Sequence, residues 1–283
     1  MTAAEVFHSL RRQLQDLYPD GEAEAVSRLV VEAVSGIESF VLSLHGGYSL
    51  ERHQADAAVK ALLRLQKGEP VQYVIGYAHF DGLKLRVSPA VLIPRPETEE
   101  LVQWVADELS RIPAARVLDA GTGSGCIALA LKRRLPRLHL FAVDISEAAL
   151  TVARSNADAM GLDITFSCHD LLSPAIPFEG LRFDCVVCNP PYVLPEEQQT
   201  LAAQVVQFEP HRALFAPDAD PLRFYRHLTD RFYRNQQKPA ILFFEINPKM
   251  HEKLSHWLET EGLAHQFRTD WSGHVRMLRI GGN

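Results

Sequence analysis

The tetrapeptide Asn189-Pro190-Pro191-Tyr192 combines two hydrogen-bond acceptors with an aromatic ring. Asn189 offers its side-chain oxygen, and Pro190 offers a backbone carbonyl in a segment that the two prolines make rigid. Two acceptors aimed at the hydrogens of a planar NH2 group, on an amide or an adenine, would orient that group and shift electron density onto its nitrogen. Tyr192 could stack on the same planar group. These residue types therefore predict a reaction in which a planar nitrogen is oriented to attack an electrophile, with catalysis mainly by positioning.

A glycine-rich segment between a predicted strand and a predicted helix indicates the cofactor. Its spacing is G-x-G-x-G, which differs from the G-x-G-x-x-G of dinucleotide sites. Asp119 opens the segment, and a carboxylate there would repel a pyrophosphate but attract a cation, such as the amino or sulfonium group of S-adenosylmethionine. The segment therefore predicts an S-adenosylmethionine site built from Asp119, Gly121, Thr122, Gly123, Ser124 and Gly125.

Two acids at the ends of the next predicted strands extend this site. Asp144 follows Gly125 by 19 positions, where an acid can accept hydrogen bonds from both hydroxyl groups of a ribose. Asp170 ends the third predicted strand, close to the expected position of an adenine amino group, and Leu171 could cover the ring. An acid at a strand end is more often a turn or cap residue, so the role of Asp170 depends on the motifs before it.

Strand and helix patterns alternate from Arg116 onward and predict the framework that holds these motifs. The predicted strands are Arg116–Asp119, His139–Asp144, Ile164–Cys168, Phe183–Cys188, Ala240–Ile246, Ala264–Thr269 and His274–Ile280, with helices in most gaps. Such alternation favours an α/β fold whose parallel sheet is covered on both faces. The last two strands are joined by a short turn and must pair antiparallel. The fold class is therefore α/β, with a seven-stranded sheet that is parallel except for a terminal hairpin.

The chain before this framework has a different pattern. Residues 1–70 show apolar side chains at helical spacing, through Leu17 in the first segment, and predict a small all-helical domain. Residues 71–95 alternate apolar and polar positions around Asp81-Gly82, which predicts a β-hairpin linker. Residues 96–283 are then the catalytic domain.

Composition restricts the class of protein. The chain has 283 residues, of which 47% are hydrophobic and 23% charged, and these values exclude a collagen, a coiled-coil rod and a disordered tail. The formal net charge of -6 disfavours a protein whose main role is to bind the phosphates of nucleic acid. The absence of a long apolar run or a signal-peptide pattern predicts a cytoplasmic protein. Cys185 and Cys188 have no second ligand pair, so they predict buried strand residues rather than a metal site.

Taken together, DAGTGSG, VDIS, HDLL and NPPY resemble the class I S-adenosylmethionine-dependent methyltransferases that act on planar amines. The blocks LIPRPETEELV and QFEPHRAL, with the helical N-terminal region, resemble the PrmC/HemK family of peptide chain release factor glutamine-N5 methyltransferases over essentially the whole chain. The resemblance implies a Rossmann-like class I methyltransferase sheet. It also implies methylation of the side-chain amide nitrogen of the glutamine in the Gly-Gly-Gln motif of release factors.

The resemblance further implies a role for each motif residue. The glycine segment, Asp144, Leu171 after Asp170, and Asn189 would bind the cofactor. Asn189, Pro190, Pro191 and Tyr192 would form the glutamine pocket, with Asn189, Pro190 and Tyr192 as the catalytic residues. Phe80, Arg95 and Glu209 fall in family blocks near that pocket and are expected to bind substrate. Ala120 and Leu171 depart from the family, which more often has a bulkier apolar residue and an aromatic at these positions.

Three other functions share some of these features. A methyltransferase for a glutamine of a large-subunit ribosomal protein has the same motifs, but RPET and its following acids favour the release-factor enzyme. A nucleic-acid adenine methyltransferase should carry a basic face, which this sequence does not show. A non-catalytic cofactor-binding protein would not need an intact NPPY. The expected partners are class 1 release factors, with no nucleic acid or membrane, and the expected state is a monomer.

Overall fold

The structure, a computed structural model, describes residues 1–37, 47–112, 114–173, 178, 180–216, 220–235 and 240–282. The chain forms two compact units, one made of Met1–Tyr77 with Ala202–Phe208 and the other of Ala78–Leu201 with Glu209–Asn283. All the residues predicted to bind cofactor or substrate belong to the second unit.

The first unit is helical. Its described helices are α1 (Ala3–Leu14), α2 (Asp20–Ser35), α3 (Arg52–Leu65), α4 (Val71–Ile75) and, from the later segment, α8 (Ala203–Phe208). Thr2 and Glu5 form a capping box at the start of α1, and Leu14 is fully buried in the core of the unit. Leu17 was expected to continue this buried stripe but is exposed, because α1 ends at Leu14 and the helical period no longer applies.

The prediction of β structure from residue 71 is wrong for residues 71–75, which form α4. Val71, Val74 and Ile75 pack against the helical core, and their i, i+3, i+4 spacing is that of one helix face. Pro70 precedes the helix, and Gly76 ends it in the left-handed region at φ 82°. Five residues with this pattern fit a strand or a helix, and packing against α2 and α3 selects the helix.

The predicted hairpin is confirmed over the next residues. Strands β1 (Tyr77–Phe80) and β2 (Leu83–Arg86) flank Asp81 and Gly82, whose φ angles are 49° and 70°. Positive φ at both central residues is the mark of a type I′ turn, which matches the twist of the two strands. The Asp81 carboxylate pairs with Arg134, and the Asp81 N–H donates to Glu99 Oε1 at 2.9 Å. The hairpin tip is therefore attached to the catalytic framework.

The seven-stranded sheet of the second unit confirms the predicted fold class. Its strands are β3 (Arg116–Ala120), β4 (His139–Asp144), β5 (Ile164–Cys168), β6 (Cys185–Cys188), β7 (Ile241–Glu245), β8 (His265–Thr269) and β9 (Val275–Ile280). Their order is β5-β4-β3-β6-β7-β9-β8. Strands β3 to β7 pair in parallel, and β9 runs antiparallel to both of its neighbours.

Helices cover both faces of this sheet. They are α5 (Pro96–Leu109), α6 (Cys126–Arg134), α7 (Glu147–Met160), α9 (His211–Leu214), α10 (Arg223–Thr229) and α11 (His251–Thr260), with 3-10 turns at Pro195–Thr200 and Pro248–Met250 and a π-helical turn at Asp230–Arg234. One buried core contains Trp104 of α5 and Phe243, and the other contains Leu118, Tyr225 of α10 and Phe244. Phe243 and Phe244 alternate between the two faces, as period-two geometry requires.

The strand order locates the site. From β3 the chain builds outward through β4 and β5, then returns to place β6 on the other side of β3. In open α/β sheets, ligands bind beyond the carboxyl ends of the strands at such a switch point. β3 ends at the glycine segment and β6 ends at the NPPY tetrapeptide, so the two motifs emerge side by side.

Candidate active site

A cavity of about 830 Å³ lies beyond the carboxyl ends of β3, β4 and β6. Most of the residues predicted from sequence line it: Arg95, Gly121, Thr122, Gly123, Ser124, Asp144, Asp170, Leu171, Asn189, Pro190 and Pro191. Its volume falls in the range of small-molecule sites. The motifs therefore converge on one site, although they are spread over more than 90 positions of the chain.

The glycine segment turns sharply between β3 and α6. Gly121 and Thr122 donate their backbone N–H groups to the Val143 carbonyl, each at 2.9 Å, which holds the segment against the end of β4. Gly125 has φ 83°, and a Cβ there would lie 3.1 Å from Leu129 Cδ1 and 3.3 Å from Ala153 Cβ. Gly125 does not line the cavity. It is required instead for the close approach of the segment to α7.

Asp144 holds the segment from the other side. Its Oδ2 accepts the Gly123 N–H and its Oδ1 accepts the Ser146 N–H, both at 2.9 Å. Each carboxylate oxygen has a second lone pair, so both can still accept a hydrogen bond from a ligand hydroxyl. The two backbone donors orient the carboxylate at the cavity wall, which fits the predicted contact with a ribose.

Asp170 and Leu171 line the same cavity beyond β5. The strand ends at Cys168, so Asp170 lies two residues past it rather than at its last position. Asp170 is exposed, and its Oδ1 accepts the Leu172 N–H at 2.9 Å. Asp170 is therefore the turn residue that the sequence pattern also allowed, and it lines the cavity as well.

Asp119 lies beneath the cavity rather than in its lining. The side chain is fully buried, and its Oδ2 accepts hydrogen bonds from Thr122 Oγ1 at 2.6 Å and from the Ala128 N–H of α6 at 3.2 Å. Among the described residues Oδ1 has no hydrogen-bond partner. Burial raises the pKa of the carboxyl to about 7, against the effect of these two donors. A buried carboxylate oxygen without a donor fits a cofactor that brings a positively charged amino group.

Asn189 lies half-buried directly after β6 and lines the cavity. Its Nδ2 donates to Thr98 Oγ1 at 3.2 Å, and Thr98 Oγ1 donates to Glu245 Oε2 at 2.6 Å. Pro190 is buried next to it. This arrangement leaves the Asn189 side-chain oxygen available as an acceptor at the cavity.

Arg95 lines the cavity, whereas Glu209 supports it from behind. Glu209 Oε1 accepts from Arg95 Nη2 at 2.5 Å, and Oε2 accepts the Ile93 N–H at 3.1 Å. Glu209 is buried and fixes both the backbone before α5 and the Arg95 side chain. A role as a direct substrate ligand therefore fits Arg95 better than Glu209.

Tyr192 and Phe80 do not line the cavity. The Tyr192 hydroxyl donates to Glu245 Oε1 at 2.8 Å, so its ring is attached to β7. Phe80 is 1% exposed and packs in the core with Leu85 and Trp104. The expected contact of Phe80 with substrate is not supported, because the alternation of β1 turns His79 to solvent and Phe80 inward.

Three residues that the sequence analysis missed belong to the site. Leu92 and Thr98 line the cavity, and Glu245 holds both Thr98 and Tyr192. Glu245 carries a sequence signal, since it is a lone acid in the apolar run that forms β7. Leu92 and Thr98 lie within the family-specific block LIPRPETEELV but have no signal of their own in charge or periodicity.

The cysteines do not form a shared site. Cys185 packs in the core on one face of the sheet and Cys188 in the core on the other, so both are buried strand residues, as predicted. Within the described ranges, no group of three or more His, Cys, Asp or Glu side chains could hold a metal ion. The described helices include none that is long and apolar enough to cross a membrane.

Comparison with solved structures gives the fold. The catalytic domain of human Mettl16, in complex with an RNA hairpin, aligns with a TM-score of 0.57 at 17% identity over 82% of this chain and 84% of that one. The N-terminal domain of human METTL16, in complex with SAH, aligns with a TM-score of 0.53 over 83% of this chain and 86% of that one. The second unit therefore has the class I methyltransferase fold.

Sequence comparison gives the family. Residues 117–208 match a methyltransferase domain, and residues 5–76 match the PrmC N-terminal domain. A release factor glutamine methyltransferase of Bacteroides thetaiotaomicron is 42% identical over 84% of both chains, and one of Flavobacterium psychrophilum is 36% identical over 94% of both chains. One of Koribacter versatilis is 47% identical over 70% of this chain. With these similarities and an NPPY tetrapeptide beside its glycine segment, the chain belongs to the release factor glutamine methyltransferase family.

Proposed function

We propose that the protein transfers a methyl group from S-adenosylmethionine to the side-chain amide nitrogen of the glutamine in the Gly-Gly-Gln motif of class 1 release factors. The observation that carries this proposal is the position of Asn189, which lines the cavity together with the glycine segment and whose Nδ2 is already used in a hydrogen bond to Thr98. The names of the relatives support the choice of substrate. We also propose that the protein works as a monomer in the cytoplasm, without binding nucleic acid.

S-adenosylmethionine, when bound, supplies a methyl group attached to a positively charged sulfur. In this proposal Asp119 attracts the cofactor's amino group, and Asp144 accepts hydrogen bonds from its ribose hydroxyls. Asp170 and Leu171 bind its adenine by polar and apolar contact, respectively. The fit rests on the orphaned Asp119 oxygen and on the two backbone donors that orient Asp144.

Asn189 and Pro190 act on the substrate amide. Their two carbonyl oxygens accept hydrogen bonds from the two amide hydrogens, which orients the nitrogen and increases its nucleophilicity. No strong base is needed before transfer, because the nitrogen loses its proton after it becomes cationic. Apolar side chains such as Leu92 and Ile127 line the cavity and exclude water from the reacting groups. Catalysis is then mainly positioning, which can contribute several kcal/mol.

Transfer of label tests the substrate. The purified protein is mixed with S-adenosylmethionine carrying a labelled methyl group and, separately, with a release factor, a large-subunit ribosomal protein mixture or DNA oligonucleotides. We expect label on the release factor alone, and none on a release factor whose Gly-Gly-Gln glutamine is replaced by alanine. Label on the ribosomal proteins or DNA, or on the substituted release factor, would contradict the proposal.

Cofactor affinity is expected to depend on pH through Asp119. Its pKa is raised to about 7, so a proton must leave when a cationic amino group binds, and binding weakens as the pH falls below this value. For one such group, the Kd for S-adenosylhomocysteine should be about tenfold higher at pH 6 than at pH 8. Isothermal titration calorimetry at the two pH values measures this ratio.

Asp119→Asn is the control for this pH dependence. The variant keeps the shape of the side chain and both histidines of the cavity lining, His169 and His211. We expect the variant to bind more weakly at pH 8 and to lose most of the difference between the two pH values. An unchanged tenfold difference in the variant would show that the pH dependence does not come from Asp119.

A further inference from the structure

Two buried side chains, Thr98 in the cavity lining and Glu245 behind it, are linked to Asn189 in one chain of hydrogen bonds. We propose that Thr98 and Glu245 are positioning residues that determine which end of the Asn189 amide faces the substrate. This inference rests on the proposed function, since it concerns how Asn189 presents its oxygen to a glutamine amide. Neither Thr98 nor Glu245 needs to touch the reacting atoms for this role.

The sheet register brings these residues together. Cys188 of β6 is paired with Phe244 of β7, so the next residue on each strand, Asn189 and Glu245, emerges at the same edge. Thr98 reaches this point from the first turn of α5. Thr98 is 2% exposed and Glu245 is 1% exposed, so water does not compete for their hydrogen bonds.

The direction of the hydrogen bonds follows from the number of protons. An ionised Glu245 can only accept, and it accepts from Thr98 Oγ1 at 2.6 Å and from the Tyr192 hydroxyl at 2.8 Å. Thr98 has one hydroxyl proton, which this bond uses. Thr98 Oγ1 can therefore only accept from Asn189, and Nδ2 is the Asn189 atom that can donate. The Asn189 oxygen is then turned to the cavity.

Two hydroxyl donors and a nearby cation favour the ionised, accepting form of Glu245 against the effect of burial. Burial raises its pKa, while the Thr98 and Tyr192 hydroxyls and the charge of Arg276 act in the opposite direction. Thr98 also lies in the first turn of α5, where the helix dipole favours a negative charge nearby. If Glu245 were protonated, it could donate to Thr98, and the Thr98 proton would then compete for the Asn189 oxygen.

Tyr192 has a supporting part in the same network. Its hydroxyl occupies Glu245 Oε1, which leaves Oε2 as the acceptor for Thr98. The Tyr192 backbone carbonyl accepts from Asn247 Nδ2 at 3.3 Å, so the residue is held at both ends. The last residue of NPPY thus contributes to the orientation of the first.

Nuclear magnetic resonance of the cofactor-free protein tests the orientation without methyl transfer. In a sample with 15N-labelled asparagine, the Asn189 side-chain amide is assigned by its loss in Asn189→Ala. We expect one of its protons to be shifted downfield in the wild type and in Thr98→Ser, which keeps the hydroxyl. In Thr98→Val, which keeps the shape but not the hydroxyl, that shift should disappear. An unchanged amide signal in Thr98→Val would overturn the proposal.

Kinetics test the consequence for the reaction. With kcat expressed per cofactor-binding site, Thr98→Val should lower kcat about 10- to 100-fold, the size of effect that misplacement of a reacting group produces. The KM for the release factor should change less than about threefold, and Thr98→Ser should recover most of the activity. A kcat per site in Thr98→Val equal to that of the wild type would overturn the catalytic part of the proposal.

A matched control separates positioning from stability. Thr229→Val removes another buried threonine hydroxyl, one that donates to the Tyr225 carbonyl at 2.6 Å and not to Asn189 or to the Glu245 carboxylate. It should leave kcat per site and the Asn189 signal unchanged. If the wild type does not methylate the release factor, the proposed function fails, and the amide signal still decides the orientation of Asn189.

Discussion

Replacement of Asn189 by alanine is expected to lower kcat for methyl transfer by about a thousandfold or more, as removal of a group that acts only on the reacting centre does. The variant loses the acceptor that we propose for the substrate amide and the Nδ2 group that donates to Thr98. The glycine segment is held by Val143 and Asp144, without Asn189, so the cofactor site should persist. Single-turnover transfer to the release factor measures the loss, and calorimetry measures the Kd for S-adenosylhomocysteine.

The Kd for S-adenosylhomocysteine should stay within about fivefold of the wild-type value, since one hydrogen bond is worth about 1 kcal/mol. Asn235→Ala is the matched control, because Asn235 is exposed at the end of the π-helical turn and its loss should change neither quantity. Full activity of Asn189→Ala would show that the amide is oriented by other groups. A collapse of cofactor binding together with activity would show that Asn189 acts mainly on the cofactor.

Replacement of Phe80 by alanine is expected to lower the free energy of unfolding by about 3–5 kcal/mol. Phe80 is buried beside Trp104 and Leu85, and truncation leaves a cavity between the hairpin and α5. The folded fraction should keep its kcat and its KM for the release factor, because the ring does not line the cavity. Denaturant unfolding and steady-state kinetics on the same sample measure the two effects.

Phe80→Leu and Leu92→Ala are the comparisons for this prediction. Phe80→Leu keeps most of the apolar volume and should be distinctly more stable than Phe80→Ala. Leu92 is half-buried in the cavity lining, so Leu92→Ala should weaken substrate or cofactor binding at a stability cost of about 1 kcal/mol. A Phe80→Ala protein with unchanged stability and a raised KM for the release factor would show that Phe80 binds substrate.

Most of the fold could be predicted because its signals are local. Strand β4 begins and ends where its apolar pattern does, since buried parallel strands are short apolar runs between turns, and the edge strand β5 also has its predicted bounds. The Asp81-Gly82 turn could be predicted from these two residues alone, because few pairs of residues accept a positive φ at both positions. Helix α4 could not be predicted, because five residues with its apolar pattern fit the period of a strand as well as that of a helix. Only packing against the other helices distinguishes the two.

The candidate site also has a part that the sequence predicts and a part that it does not. The glycine segment, Asp144 and NPPY are contiguous motifs or follow a strand at a typical spacing, and all but Asp119, Gly125 and Tyr192 reach the cavity lining. Arg95 and Glu209 were both expected to bind substrate, and only their mutual hydrogen bond shows that one lines the cavity and the other holds it. A single sequence does not show which of two such residues lines a cavity and which one holds the other in place.

The sequence by itself determined the class of reaction, the alternation of strands and helices from Arg116 onward, and the local turns that carry the motifs, because each of these depends on residue types at short spacing. Only the tertiary structure decided which side chains meet across the sheet. Thr98, Asn189 and Glu245 lie on three elements that are far apart in the chain, and their contact follows from the pairing of β6 with β7 and the packing of α5. The direction of their hydrogen bonds, and so the orientation of Asn189, depends on that contact and on burial from water.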